Sequence, residues 1–305
     1  MENIIVANKL TKDYGKGRGI FDFSFTVEKG QVVGLVGSNG SGKTTTIRQL
    51  MGFLKSTSGS AQICGMNCWK DSVKLKRLIG YVPGQIDFPD VGNGTSFLKI
   101  QAELMGMRDY SLMNELIDRF KIDTSAPLKT MSKGMKQKMA LVAAFMAQPE
   151  IYLLDEPSTG LDPLMRDTLI ELILEQKAKG RTVFMSSHIF KELEDTCDKV
   201  IFIHKGHLVA QVDRAQFEAD PRERYVVRFS SAEEFRRYTS RKAPTSNADE
   251  FFVAKNPARC SVELSIPQQE LGAFLADLTG YDVHSLQNEA YSLERYYSDY
   301  IESEA

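Results

Sequence analysis

At 305 residues the chain exceeds one typical domain, so two domains are expected, the larger able to bury a substantial core. Lysine plus arginine (38) nearly balance aspartate plus glutamate (40), which excludes a global field drawing the chain to nucleic acid or to an acidic membrane surface. The scattered Cys64, Cys68, Cys197 and Cys260 fit reduced, packed thiols, and no segment reads as a leader or as an apolar run of membrane-spanning length, so a soluble cytoplasmic protein is expected.

Phe21, Phe23, Phe25 and Val27 alternate with Asp22, Ser24 and Thr26, the period of a half-exposed strand in an antiparallel sheet, with a turn at Glu28-Lys29-Gly30. The apolar run over 31–36 predicts the next strand, and it leads through Gly37-Ser38-Asn39-Gly40-Ser41-Gly42-Lys43-Thr44 into a helix over 43–54. Strand, glycine loop and helix in that order make a phosphate cradle. The glycines let consecutive backbone N–H groups turn inward, Lys43 supplies a point charge, Thr44 offers its hydroxyl to Mg²⁺ and the helix N-terminus adds its dipole. A nucleotide triphosphate is the expected ligand. Short strands are predicted over 61–64 and 79–82, and two helices joined near Asp109 over 95–120, a helical block that interrupts the α/β pattern.

The continuous apolar run Ile151-Tyr152-Leu153-Leu154 suits a buried parallel strand, and 182–185 and 200–203 repeat it after intervening helices, which implies a parallel sheet wrapped by helices. Asp155 and Glu156 follow the first of these runs, where strand tips of open α/β sheets meet the ligand crevice. There Asp155 would orient Mg²⁺ and its waters, and Glu156 would polarise the attacking water for in-line displacement at the γ-phosphate. Lys205-Gly206 reads as a hairpin turn into a strand over 208–212 that closes the core near residue 215. A boundary at Asp220-Pro221 follows. Strands over 225–229, 251–254, 260–266 and 282–286 and helices over 232–238 and 268–278 then come in the order β-α-β-β-α-β of a ferredoxin-like domain. A loop over 243–250 and a tail helix over 293–301, rich in tyrosine, complete the reading. The expected domains are 1–218, with a helical subdomain at about 85–135, and 219–305.

Read together with Met131-Ser132-Lys133-Gly134-Met135-Lys136-Gln137, Ser158-Thr159-Gly160-Leu161-Asp162 and Ser186-Ser187-His188, the chain resembles the ATP-binding subunit of an ABC transporter over roughly residues 1–215. The resemblance implies an α/β P-loop ABC ATPase core: a mostly parallel sheet with helices, an antiparallel β subdomain and a helical subdomain. By it, Gly37, Ser38, Asn39, Gly40, Ser41, Gly42, Lys43 and Thr44 are the Walker A loop, Leu153 to Asp155 end Walker B, and Glu156 is the catalytic carboxylate. Asp162 belongs to the D-loop, and His188 is the switch histidine that contacts the γ-phosphate, able to donate a hydrogen bond to developing charge. Tyr14, in Lys12-Asp13-Tyr14-Gly15, stands where family members place an aromatic that stacks on adenine.

Two segments depart from the family pattern. The signature keeps Ser132 and Gly134 of LSGGQ and carries Lys133 and Met135 at other positions. In the family it lies at a helix N-terminus and touches the ATP of the other subunit, so the Ser132 hydroxyl and backbone N–H groups matter most. Lys133 and Lys136 read either as further phosphate contacts or as a solvated helix face. The family's Q-loop glutamine directly follows a proline, whereas here Gly84 follows Pro83 and Gln85 comes one place later. The freedom of Gly84 would let Gln85 reach Mg²⁺ and the helical block.

The resemblance implies ATP hydrolysis, with Mg²⁺, driving the closing and reopening of a nucleotide-sandwich dimer. The partners would be an integral membrane permease on a separate polypeptide and a second copy of the chain or a related ATPase, holding the protein at the inner face of the cell membrane. Ser132-Lys133-Gly134-Met135, Ser158 to Pro163 and the C-terminal extension look like ATPases of drug- and antibiotic-export systems, with cargo selected by the permease. The second class of reading is a soluble ABC-type mechanoenzyme acting on a ribosome or on DNA. Such proteins tend to carry paired cores, long coiled coils or basic arms, whereas this chain shows one core and balanced charge, so nucleic acid is not an expected partner. The C-terminal domain reads either as a regulatory or dimer-supporting module or as a packing cover.

Overall fold

The computed structural model describes residues 2–214, 222–240 and 252–289, with positions 293, 294 and 297. The chain forms two compact units, Met1–Arg214 and Ala215–Ala305. The expected boundary at Asp220-Pro221 and the loop over 243–250 lie outside the described residues, as does most of the expected tail helix.

The first unit opens with an antiparallel sheet of β1 (Asn3–Asp13), β2 (Gly19–Glu28), β4 (Ser58–Ile63) and β5 (Met66–Asn67), in the order β2-β1-β4-β5. Phe23, Phe25 and Val27 of β2 point inward as their alternation predicts. The strand β1 has no such signal. Lys9 sits at φ 44 and the register shifts between Ala7 and Leu10, so a bulge breaks the period of two.

A six-stranded sheet in the order β10-β9-β3-β8-β7-β6 carries the site. Its strands β3 (Val32–Val36), β6 (Ile79–Val82), β7 (Ile151–Asp155), β8 (Thr182–Ser187) and β9 (Lys199–His204) are parallel, and β10 (His207–Asp213) returns antiparallel to β9. Every residue of β3, β7 and β8 is buried, as a sheet covered on both faces requires. Because these strands run the same way, the segments after Val36, Val82, Asp155, Ser187 and His204 emerge along one edge. The two sheets share a core in which Phe25 stacks on Phe184 at 5.2 Å beside Ile47 and Leu50.

Helix α1 (Lys43–Leu50) is shorter than the expected 43–54. The N–H groups of Phe53 and Leu54 turn back to the Arg48 carbonyl, which closes the helix and leaves 51–54 as a turn. After α2 (Ser72–Leu75), the helical block contains α3 (Gly94–Leu104) and α4 (Ser111–Arg119), and α5 (Lys133–Phe145) packs against both. Helices α6 (Pro163–Ala178) and α7 (Phe190–Thr196) follow β7 and β8. The β9–β10 turn does more than reverse the chain. Gly206, at φ 84, donates its N–H to the Ser41 carbonyl at 2.9 Å and accepts from the Phe21 N–H at 2.8 Å.

The second unit contains β11 (Arg222–Phe229), α8 (Ala232–Thr239), β12 (Phe252–Asn256), β13 (Ser261–Pro267), α9 (Leu271–Leu278) and β14 (Val283–Glu289). Its sheet runs β12-β13-β11-β14, antiparallel throughout. Tyr225, Val227, Phe229, Val262, Leu264 and Ile266 form one apolar cluster with Phe235, Tyr238, Phe274 and Leu278 of the helices. Two expected boundaries move. Cys260 is a turn residue at φ 51, and Gln268–Glu270 form a 3-10 turn that precedes α9 rather than its first residues.

Candidate functional site

The loop after β3 ends at Gly42, the N-cap of α1, at φ 115 and with no side-chain cap, so the first helical N–H groups are open to an anion. Lys43 is 6% exposed. Its Nζ donates to the carbonyls of Gly37 at 2.7 Å and Ser38 at 3.4 Å and lies 3.2 Å from Glu156 Oε1. An ammonium held this deeply needs such acceptors, and they keep it folded over the loop. Glu156 in turn meets His188 Nδ1 through Oε2 at 2.5 Å. One carboxylate therefore joins the lysine of the glycine loop to the histidine after β8.

Local backbone geometry aims these groups. Glu156 adopts φ 49 at the end of β7, and its N–H is shared between the Ser186 carbonyl at 3.2 Å and the Ser186 hydroxyl at 2.9 Å. The same hydroxyl donates to Asp155 Oδ1 at 2.7 Å. Asp155 is fully buried, and its Oδ2 has no hydrogen-bond partner among the described residues. Such an oxygen fits a cation or its water. Gly84 lies against it: a Cβ there would stand 2.8 Å from Oδ2, so only glycine leaves that space open.

A cleft of about 650 Å³ gathers Tyr14, Asn39, Lys43, Thr44, Glu156 and His188. Gly40, Gly42 and Gly84 also reach it. Tyr14 is half-exposed on its wall, with the Lys12 ammonium 5.6 Å from the ring centre. Ser41 is buried beneath the loop, Gly37 and Ser38 contribute carbonyls to Lys43, and Asp155 stands behind the cleft surface. Thr159 of the Ser158–Asp162 motif also lines the cleft, as do Arg18 and Lys205, which the sequence reading missed. Arg18 had a weak signal, a basic residue between glycines close to Tyr14; Lys205 had none beyond its turn.

The remaining predicted residues lie elsewhere. Ser132 caps α5 by accepting the Met135 N–H at 3.2 Å and is exposed. A Cβ on Gly134 would meet the Gly160 carbonyl at 2.6 Å, so the first turn of α5 and the loop before α6 touch backbone to backbone. Asp162 caps α6 by accepting the Met165 N–H at 3.0 Å. Gln85 is exposed and lines a second cleft of about 300 Å³ with Gly84, Lys133, Lys136 and Gln137, away from Lys43 and Glu156. Gly84 occupies the place beside Asp155, and Gln85, one residue on, faces the second cleft.

An open anion cradle, a lysine ammonium and a carboxylate–imidazole pair at one cleft can bind a polyphosphate and activate water beside it. A family model described as ABC transporter matches residues 20–159. The bacitracin transport ATP-binding protein BcrA of Bacillus licheniformis is 34% identical over 215 residues, 70% of each chain. The uncharacterized ABC transporter ATP-binding protein YhcH of Bacillus subtilis is 30% identical over 287 residues, 88% of this chain and 90% of the relative. A solved ATP-binding subunit of an ABC transporter superposes with a TM-score of 0.65 at 30% identity, covering 70% of this chain and 92% of that one. By sequence, by fold and by the contents of its cleft, the chain belongs to the ABC transporter family of ATP-binding proteins.

Proposed function

We propose that this ABC ATPase powers an exporter of an antibiotic or other amphipathic cargo, acting as a pair of subunits on a separate membrane permease. The observation that carries the ATPase reading is Glu156, which bonds Lys43 and His188 at the mouth of the glycine loop. An incoming triphosphate offers Lys43 better acceptors than the Gly37 and Ser38 carbonyls and draws it from Glu156. Glu156 is then free to accept the proton of a water aligned with the γ-phosphate. His188 would contact the γ-phosphate, and as the imidazolium it can donate through Nδ1 to Glu156 and through Nε2 to the developing charge.

Thr44 and the unpaired Asp155 Oδ2 would hold Mg²⁺, which neutralises charge on the β- and γ-phosphates. Tyr14 would stack on adenine, and Ser132 and Gly134 of a second copy would close over the bound nucleotide. Gln85 would act from the second cleft, at the edge of the helical subdomain, rather than on Mg²⁺ in this arrangement. Export is supported by the likeness to a bacitracin transport protein, and the pairing and inner-membrane location by the family. No helix among the described residues is long and apolar enough to cross a membrane. Domains at 1–218 and 219–305 are proposed, the second ferredoxin-like, a reading supported by its strand order.

The test is ATP hydrolysis by the purified chain, its Lys43→Ala and its Glu156→Gln variants. Both substitutions should abolish turnover, and Glu156→Gln with saturating MgATP should elute as a dimer. Parental turnover by Lys43→Ala refutes the site. Capture from detergent-solubilised membranes should return an integral membrane protein; a ribosome or DNA as the main partner would refute the transporter.

A further inference from the structure

Glu192 plays no part in the chemistry above, yet it is a carboxylate only 3% exposed, on α7. Its Oε2 accepts from the hydroxyls of Ser158 at 2.8 Å and Ser187 at 3.0 Å. Its Oε1 lies 3.1 Å from Arg166 Nε, a contact of charges without an aligned hydrogen bond. Each of these partners belongs to a different functional segment. Ser158 is two residues beyond Glu156, in the loop whose next turn, Leu161 N–H to Ser158 carbonyl at 3.0 Å, delivers Asp162. Ser187 immediately precedes His188, and its oxygen also accepts the Ile189 N–H at 3.0 Å, so it brackets the histidine on both sides. Arg166 sits in the first turn of α6 and donates its N–H to the Asp162 carbonyl at 3.0 Å.

We propose that Glu192 is a positioning residue for hydrolysis, one carboxylate that fixes the spacing of Glu156 and His188 and ties both to the Asp162 loop. Two buried hydroxyls that share a single acceptor oxygen cannot separate without leaving one of them with no acceptor for its proton, so the chain at 158 is held against the chain at 187. The carboxylate touches neither cleft nor substrate and acts through its neighbours. This inference rests on the reading of Glu156 and His188 as the hydrolytic pair. Misplacing that pair by about 1 Å is worth about a hundredfold in rate, while the glycine loop that binds the nucleotide is untouched.

The experiment measures kcat and KM for ATP on the full chain carrying Glu192→Gln, Ser187→Ala or Glu156→Gln, and on the pair Glu192→Gln with His188→Ala. The glutamine turns an amide toward Arg166 and unbalances the hub; the alanine removes one hydroxyl and leaves the carboxylate. Each of the first two should lower kcat by about tenfold or more with KM within about twofold of the parent. In the double variant Glu192→Gln should add less than about twofold to the loss from His188→Ala, because both act through one pair. A kcat within about twofold of the parent for both Glu192→Gln and Ser187→Ala overturns the proposal, and so do losses that multiply in the double variant. Should Glu192→Gln fail to fold, Ser187→Ala with and without His188→Ala decides by the same criteria. Parental turnover by Glu156→Gln would instead overturn the site itself, whereas an inactive Glu156→Gln beside parental Glu192→Gln and Ser187→Ala removes only the positioning role.

Discussion

Replacing Ser186 by alanine isolates the support beneath the two carboxylates. The hydroxyl of this fully buried residue donates to Asp155 Oδ1 at 2.7 Å and accepts the Glu156 N–H at 2.9 Å. Alanine leaves the Glu156 N–H with its second acceptor, the Ser186 carbonyl at 3.2 Å, so that group stays satisfied. Asp155 has no such reserve, because Oδ2 is already without a partner among the described residues. A hydrogen bond to a buried charged group contributes about 1.5–3 kcal/mol. The first unit should therefore lose about 2 kcal/mol, a fall in Tm of about 4–8 °C for a unit of this size. Thermal unfolding followed by circular dichroism measures it. MgATP should recover part of the loss, since a cation on Asp155 supplies the missing charge partner and binds only the folded site. A destabilisation below about 0.5 kcal/mol would refute the dependence of Asp155 on this hydroxyl.

Gly84→Ala places a methyl group 2.8 Å from Asp155 Oδ2, so Mg²⁺-dependent hydrolysis should fall by about tenfold or more while nucleotide binding in EDTA stays near parental. Equal turnover would show that the space beside Oδ2 is not used. Tyr14→Ala removes a stacking surface worth about 1–3 kcal/mol and should weaken ATP binding by about tenfold, while Tyr14→Phe binds as the parent. Equal weakening by phenylalanine would assign the contact to the hydroxyl. Burial pushes the Glu192 carboxyl above its ordinary value, although Ser158, Ser187 and Arg166 pull the other way. The folded chain thus keeps this proton at a pH where the unfolded chain has lost it. Its stabilising contribution is full below the ordinary glutamate range and falls as pH rises through the higher folded value. Glu192→Gln cannot titrate and should flatten that limb in urea unfolding measured across acid pH; an unchanged slope contradicts the assignment.

The nucleotide cleft was legible because its parts hang on the simplest elements of the fold. Strands β3, β7 and β8 are buried on both faces and have apolar centres that stand out in the sequence, so the residues at their tips could be placed on one edge. Where local geometry departs from a regular period, the reading failed. The bulge at Lys9 hid β1, and Cys260 left the strand that its neighbours suggested. Glu192 was invisible for another reason. It stands in the run Lys191-Glu192-Leu193-Glu194-Asp195, whose acidic members look alike until packing buries one of them. Gln85 shows the limit of motif spacing, since a one-residue slip is plain in the sequence but the places taken, Gly84 beside Asp155 and Gln85 on the second cleft, are seen only in the fold.

Hairpin tips are the usual places to insert a reporter or to open new termini, because little depends on them. The tip at Lys205-Gly206 is an exception: a β-carbon on Gly206 would fall 2.3 Å from the Gly19 carbonyl, and its amide is anchored to Ser41. A label grafted there would disturb the phosphate loop and mimic a catalytic defect. At Gly106 an added β-carbon meets nothing within 4 Å, but φ 71 strains any L side chain there, so the exposed Leu104 at the end of α3 is the better seat for a fluorophore in the helical block.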